Sequence, residues 1–396
     1  MAGKCLALVV PAGHAQRVRT LLKQRGWLNP TFRVVRNEDG STSIPVISCD
    51  VSDWLVLLSE AGLESNKKLG TPDWRLVEGI EFPLCRHSPS PHERLFKAVS
   101  SILELHRDGP ELPPDWRDQL PRRWERHGDL AIVDQQAFAS PFWDSFAPEL
   151  WTAVTKALGV RRLAKQGRVQ PDGFRTPTVT LLLGSDGLVE RRENGISYTW
   201  DICTCMFSTG NAQEKQRAAM WDCTGETVCD MYAGIGYFTL PVLVHGRAKL
   251  VLACEWNPNA LHWLSVNLQR NGVSNRCRVL PGDNRKLSLD EEVDRVLMGI
   301  LPQDPAALPV ACNLLRRDRG GRIHLHLTVT SFPEATRSDK RTTWLAAAQS
   351  EAQRVETLLD ESRAGKWKAV VEDVFRVKSY APHMTHVVAD ILCRPH

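Results

Sequence analysis

Apolar positions fall into two rhythms along the chain, and the rhythm changes near Asn211. Before that point, Cys5–Val10, Thr42–Cys49, Asp129–Val133, Thr178–Leu183 and Ile196–Cys203 read as strands. Helical spacing covers Ala15–Arg25 and a stretch near Arg94–His106, and an aromatic-rich helical stretch spans Phe138–Leu158. Gly184-Ser185-Asp186-Gly187 and Asn194-Gly195 mark tight reversals. Beyond Asn211, short apolar runs alternate with helices: Val228–Met231, Phe238–His245, Leu250–Glu255 and Pro258–Asn271 closed by Gly272. Strands Arg278–Pro281, Arg295–Ile300 and Arg322–Val329 follow, then a long helix over Thr342–Arg363. The closing pair, Lys368–Val377 and Thr385–Leu392, is joined by a short proline-containing loop, which predicts an antiparallel hairpin. Alternation of this kind predicts an α/β fold with a mostly parallel sheet and helices on both faces.

Length and breakers divide the chain. At 396 residues it is too long for one ordinary domain. The expected division is a small α/β N-terminal domain over 1–87, a connection rich in proline and charge over 88–127, an α/β domain over 128–206, and a Rossmann-like domain over 207–396. Apolar residues make up 42% of the chain, enough for sizeable cores. No apolar run reaches the roughly 20 residues of a bilayer span. The opening KCLALVVPAG is too short for a secretory signal and reads as a strand. The eleven cysteines are then best explained as reduced thiols of a cytoplasmic protein. Cys203 and Cys205 stand too close along the chain for the usual metal-ligand spacing, so no metal is expected.

The net charge of +4 says little about partners. Local charge says more, because Arg161–Arg175 holds Arg161, Arg162, Lys165, Arg168 and Arg175 against Asp172 alone. The expected reading is a basic loop, either simply solvated or tracking phosphates.

Three strand ends carry the candidate chemistry. The first strand closes on Asp230-Met231-Tyr232 and turns through Ala233-Gly234-Ile235-Gly236. Glycines there would let backbone approach a ligand. A dinucleotide site would show a third glycine, but the chain has Thr239 at that place. Asp230 would repel a pyrophosphate and suits a cationic amino group, as in S-adenosylmethionine. Glu255, 25 residues on at the next strand end, can accept ribose hydroxyls. Gly282-Asp283-Asn284 follows the third strand, where Asp283 and Asn284 could face an adenine amino group. The cofactor expected is therefore S-adenosylmethionine on a methyltransferase-type sheet.

FSTGNAQEKQRAA (Phe207–Ala219), DMYAGIGYFTLP (Asp230–Pro241), ACEWNPNA (Ala253–Ala260), GDNRKL (Gly282–Leu287) and VKSYAPHMTHVV (Val377–Val388) resemble the wybutosine-synthesising protein 2 family. That family is related to the tRNA guanosine-37 N1-methyltransferases. The resemblance runs from about Gly128 to the C-terminus and is loose before Ser88. It implies an enzyme moving the 3-amino-3-carboxypropyl group of S-adenosylmethionine, not its methyl, to C7 of 4-demethylwyosine at position 37 of phenylalanine tRNA. Methylthioadenosine would be the co-product. The resemblance further implies that Ser208, Lys215, Glu255, Asp283 and Asn284 contact the cofactor; Asp230 and Gly234 join them from the reading of the loop, and Lys215 suits the cofactor's carboxylate.

The methyltransferase relatives carry an Asn-Pro-Pro-like element after the fourth strand; here Gly299-Ile300-Leu301-Pro302-Gln303 stands in that place, without the Asn. No general base is apparent. The expected partner is the anticodon loop of phenylalanine tRNA, with Tyr237 or Tyr380 stacking on its base or packing in the core. A membrane partner is not expected, and the chain is expected to act as a monomer. Two alternatives stand: a guanosine-37 methyltransferase, and a catalytically silent tRNA-binding protein.

Overall fold

The computed structural model describes residues 2–47, 51–63, 74–84, 89–331, 336–363 and 365–396. Its contacts divide the chain into two compact units, Met1–Ser90 and Pro91–His396. The expected boundary at 87/88 lies outside the described residues, and those at 127/128 and 206/207 fall inside the second unit.

The first unit runs β1 (Ala2–Pro11), α1 (Ala12–Gln24), β2 (Val35–Arg36), β3 (Ser41–Val46), α2 (Val51–Glu60) and β4 (Arg75–Pro83). The sheet order is β2-β3-β1-β4, all antiparallel. Leu8, Val10 and Ile44 of the sheet pack on Val18 and Leu22 of α1 and on Leu57 of α2. The strand expected over Thr42–Cys49 stops at Val46, and positions 48–49 lie outside the described residues. Helix α2 escaped the periodicity because its centre, Trp54–Leu58, is an unbroken apolar run that helix and strand share equally.

The second unit opens with α3 (Pro91–Leu105), β5 (Trp124–His127), β6 (Leu130–Asp134), α4 (Glu149–Leu158), β7 (Arg162–Gln166) and β8 (Val179–Leu183). The strands form one sheet in the order β5-β6-β7-β8. Leu95 and Val99 of α3 and Val154 of α4 bury against Val133 and Leu163. The helical stretch expected over Phe138–Leu158 is two pieces, a 3-10 turn over Pro141–Phe146 and then α4. Pro148, which has no N–H to donate, sits at the break.

The basic run is a loop only from residue 167 onward. Arg162–Gln166 is β7, with Leu163 and Ala164 fully buried. Arg161 Nε donates to Asp129 at 2.9 Å, and Arg162 is shared between Asp129 at 2.7 Å and Asp186 at 2.6 Å. Lys165 Nζ donates to the Phe138 carbonyl at 2.7 Å. The acids come from the start of β6 and from the turn after β8, outside the window that looked purely basic. Arg161 and Arg162 are thus paired with acids and Lys165 with a carbonyl, so the stretch is not a row of unanswered cations.

The hairpin β9 (Leu188–Glu193) and β10 (Ile196–Asp201) turns at Asn194-Gly195, where φ is 50° and 79°. Two successive positive φ angles are what a two-residue hairpin needs. There follow α5 (Ala212–Ala219), β11 (Thr227–Asp230), α6 (Thr239–Val244), β12 (Leu250–Glu255), α7 (Pro258–Arg270) and β13 (Cys277–Pro281). The chain ends with β14 (Arg295–Met298), α8 (Leu308–Leu314), β15 (Gly321–Thr330), α9 (Arg337–Ser362), β16 (Trp367–Ala381) and β17 (Met384–Pro395). Helix α9 starts five residues before the expected Thr342 because Thr336 and Asp339 form a reciprocal capping box.

These strands build a seven-stranded sheet in the order β13-β12-β11-β14-β15-β17-β16. Five are parallel, and β17 inserts antiparallel between β15 and β16, which confirms the expected C-terminal hairpin. One face is covered by α8 and α9 through Ala311, Cys312, Ala348 and Val355. The other is covered by α6, α7 and the β9–β10 hairpin through Leu240, Leu264, Tyr198 and Trp200. Strand order reverses between β11 and β14, so the crevice for a ligand opens at their carboxyl ends.

Candidate active site at the strand ends

A cavity of about 400 Å³ lies in that crevice. Its walls include Ser208, Gly234, Glu255, Gly282, Asp283 and Asn284 from the sequence motifs, with Gly299 and Ile300 from the end of β14. Five of the seven residues expected to bind cofactor therefore meet around one space. The other two, Asp230 and Lys215, do not line it.

Asp230 is fully buried beneath the glycine loop. Its carboxylate accepts from Thr239 Oγ1 at 2.7 Å and from the Tyr232 backbone at 3.2 Å, tying the loop's two ends together. Burial pushes its carboxyl up to about 6, against the pull of the Thr239 hydroxyl. The expectation that Asp230 receives a cationic amino group is corrected: it organises the loop from behind.

Gly234 and Gly236 have φ of 54° and 104°, angles costly for other residues. A Cβ at Gly234 would stand 2.4 Å from the Tyr237 ring, and one at Gly236 would press on Leu240 at 3.0 Å and Leu264 at 3.3 Å. Packing within the protein, as much as ligand approach, demands glycine at both. Gly282 differs, since a Cβ there meets nothing within 4 Å and would project into open space.

Glu255 accepts three backbone N–H groups: Gly234 at 2.8 Å, Trp256 at 2.9 Å and Asn257 at 2.8 Å. A carboxylate offers about four acceptor sites, so one is left for a ribose hydroxyl without displacing a backbone donor. Burial raises its carboxyl, partly offset by those donors. Asp283 is clamped by Arg285 through two contacts of 2.8 Å, and the Asn284 amide donates to the Met231 carbonyl.

Lys215 sits behind the cavity. Its ammonium is 2.9 Å from Glu193 of β9 and 4.3 Å from the centre of the Phe207 ring. Burial lowers its pKa, with Glu193 pulling the other way. In this structure the ammonium expected to hold the cofactor's carboxylate answers Glu193 instead of facing the cavity.

Helix α5 is anchored by a buried charge network. Arg217 bridges Glu214 and Asp390, while His324 Nδ1 lies 2.6 Å from Asp390 and Arg295 reaches the other nitrogen of His324 at 2.7 Å. Burial alone would raise the Asp390 carboxyl, yet His324 and Arg217 hold it well below the usual range. Among the described residues no cluster of His, Cys, Asp and Glu could hold a metal, and the nine described cysteines are unpaired.

The family described as TRM5/TYW2 methyltransferase domain matches residues 189–356, and that described as TYW2 N-terminal domain matches residues 108–187. The Rattus norvegicus tRNA wybutosine-synthesizing protein 2 homolog is 40% identical, covering 98% of this chain and 97% of that protein. The Danio rerio homolog is 39% identical, with 98% of each covered. The chain belongs to the tRNA wybutosine-synthesizing protein 2 family.

Among solved structures, P. horikoshii TYW2 in complex with MeSAdo is 28% identical, with a TM-score of 0.53 over 75% of this chain and 99% of that one. Trm5b from Pyrococcus abyssi shares the fold, with a TM-score of 0.61 at 22% identity over 98% of this chain and 99% of that one. Within this member of the TYW2 family, the cavity also draws on residues to which the motifs assigned no role. Trp256 and Phe174 meet edge to face at 5.4 Å, both about two-fifths exposed. Asn211 and Lys378 lie inside the motifs FSTGNAQEK and VKSYAPHM, so their position was in view although their role was not. Tyr237 packs in the wall with its hydroxyl donating to the Met206 carbonyl, whereas Tyr380 is 45% exposed on β16.

Proposed function

We propose that this chain transfers the 3-amino-3-carboxypropyl group of S-adenosylmethionine to C7 of 4-demethylwyosine at position 37 of phenylalanine tRNA, releasing methylthioadenosine. One observation carries the reading: in a chain of the TYW2 family, the ends of β11, β12, β13 and β14 converge on a single cavity lined by Gly234, Glu255, Asp283, Asn284 and Ile300. The donor set suits the cofactor. Glu255 retains an acceptor site for a ribose hydroxyl, Asp283 and Asn284 offer acceptors to an adenine amino group, and Gly282 leaves space where a side chain would intrude.

The sulfonium supplies three electrophilic carbons and a neutral thioether leaving group. The protein's work is therefore positioning rather than acid–base chemistry. Glu255, held by three backbone donors, fixes the nucleoside end. Residues 204–211 and the loop after β14 also contribute to the cavity, and they are the elements left to receive the amino-acid arm and the acceptor base. The transfer forms a bond from C7 to the arm's terminal carbon, breaks that carbon's bond to sulfur, and releases the C7 proton.

An anticodon-loop base splayed from its stack is the acceptor. Trp256 and Phe174 line the cavity and are about two-fifths exposed, which offers them as its stacking surface. Residues 128–206 are assigned to gripping the tRNA, and unpaired cysteines fit a reducing, cytoplasmic setting.

Incubation with tRNA bearing the tricyclic base and S-adenosylmethionine tests this directly. Methylthioadenosine as co-product, with the matching mass gain on the nucleoside, is the expected result. S-adenosylhomocysteine would replace the reading with a methyltransferase, and absence of any S-adenosylmethionine binding would leave a silent tRNA-binding protein.

A further inference from the structure

The transfer leaves a proton on C7 that some group must accept. Among the described residues no histidine lines the cavity, and three carboxylates do: Glu255, Asp283 and Asp304. Glu255 is committed to three backbone N–H groups at the nucleoside end. Asp283 is neutralised by its two contacts with Arg285. Asp304 has only uncharged hydrogen-bond partners among the described residues, Tyr232 and the backbone of Ala306. Arg285 is near enough to interact with its charge, yet the ion pair it forms is with Asp283. Asp304 is therefore the carboxylate on this wall without a committed task.

Its place in the fold matches the place of the acceptor base. Asp304 stands on the loop after β14 and meets Tyr232, which follows β11, so the pair bridges the two strand ends where the strand order reverses. Oδ1 accepts from Ala306 N at 3.0 Å, which holds the carboxylate in place. Oδ2 accepts from the Tyr232 hydroxyl at 3.3 Å. That is longer than the roughly 2.7–2.8 Å of a tight O–H···O bond. Burial, with the charge of Asp304 beside it, raises the pKa of the Tyr232 hydroxyl, so the proton of this contact stays on Tyr232. A carboxylate oxygen offers two acceptor sites, and Oδ2 uses one of them, loosely. The residue is half-buried, so the other is not lost to a dry interior.

Positive charge moves during the transfer. It begins on sulfur. As C7 bonds to the arm's terminal carbon, the carbon–sulfur electron pair goes to sulfur and the charge passes to the acceptor ring, which now carries both the arm and a proton on C7. Loss of that proton returns the C–H electron pair to the ring. A fixed carboxylate beside the ring favours the reaction twice, by facing the developing cation and by accepting the proton. We propose that Asp304 is that carboxylate, its Oδ2 facing the acceptor ring and taking the proton from C7, which it then passes to solvent. This rests on the function proposed above and makes Asp304 a catalytic residue of the transfer.

The test is single-turnover transfer by the full chain, with S-adenosylmethionine and tRNA whose tricyclic base carries protium or deuterium at C7. In the wild type, bond formation to carbon is expected to limit the rate, so the two substrates react alike. Asp304→Asn keeps the shape and an acceptor oxygen but cannot take up the proton. It is expected to slow transfer by about a hundredfold or more and to bring out a primary isotope effect, with affinities for S-adenosylmethionine and tRNA within about twofold of wild type. Asp304→Glu is expected to recover part of the rate and to suppress the isotope effect. A rate for Asp304→Asn within about threefold of wild type would overturn the proposal. A slow variant without an isotope effect would overturn it too, and so would a loss of rate matched by a loss of affinity, which makes the residue structural. A wild type that yields no methylthioadenosine fails the functional reading itself, a result distinct from any of these.

Discussion

Lys215 Nζ lies 2.9 Å from each carboxylate oxygen of Glu193, joining α5 to the β9–β10 hairpin in a nearly dry contact. Removing one partner of such a pair strands the other charge, typically at about 3–5 kcal/mol. Lys215→Met is therefore expected to lower unfolding free energy by about 3 kcal/mol, with most of it restored by adding Glu193→Gln. Denaturant unfolding measures both. Calorimetry should find S-adenosylmethionine affinity of Lys215→Met within a fewfold of wild type, and a loss selective for S-adenosylmethionine over methylthioadenosine would return Lys215 to the binding site.

The raised pKa of Asp230 gives the fold a pH signature. An acid whose native pKa is about 6 and whose ordinary value is 3.8 prefers to be protonated in the folded state. Its contribution is full below about pH 4 and is lost as pH rises to about 6, a change of up to about 3 kcal/mol. Asp230→Asn keeps an acceptor for Tyr232 and can still pair with the Thr239 hydroxyl. Unfolding curves from pH 4 to 7 should show that decline in the wild type and a flatter profile in the variant.

His386 and His326 work in the opposite direction. Their rings meet at 3.0 Å between nitrogens, deep in the sheet, and His386 is pushed down to about 4 by burial and by Lys378, while burial also lowers His326. Protonation favours the unfolded chain, so stability falls as pH drops from about 6.5 to about 4. For His386 alone the loss approaches about 3 kcal/mol. His386→Gln should lessen the acid sensitivity, read as the difference between variant and wild-type stability at pH 7 and pH 5.

Asn267 ties the glycine loop to the hairpin. Fully buried, it accepts from Thr199 N at 2.7 Å and donates to the Ile235 carbonyl at 3.0 Å. Asn267→Ala leaves two buried backbone groups unsatisfied and is expected to cost about 2–4 kcal/mol, with weaker methylthioadenosine binding because the loop loosens. Unchanged stability by thermal unfolding would refute this.

Much of the site was legible because an open parallel sheet brings successive strand ends to one edge. Gly234 follows β11, Glu255 closes β12 and Asp283-Asn284 follow β13, each within a few residues of an apolar run, so local pattern alone places them together. The same logic placed the C-terminal hairpin. Boundaries slipped where a cap or a proline decided them, as at Thr336 for α9 and at Pro148 before α4.

What the sequence could not determine is which charge answers which. Arg161, Arg162 and Lys215 looked free in their own windows, but Asp129, Asp186 and Glu193 reach them only through strand pairing and helix packing. Lys378 looked ordinary in its window, but β16 carries it to a turn 168 residues earlier (378 − 210) where no acid answers it. Local residue pattern fixes which elements form and which edge they share, because both depend on neighbours in the chain. Electrostatic pairing depends on distance in space, and only the tertiary structure decides it.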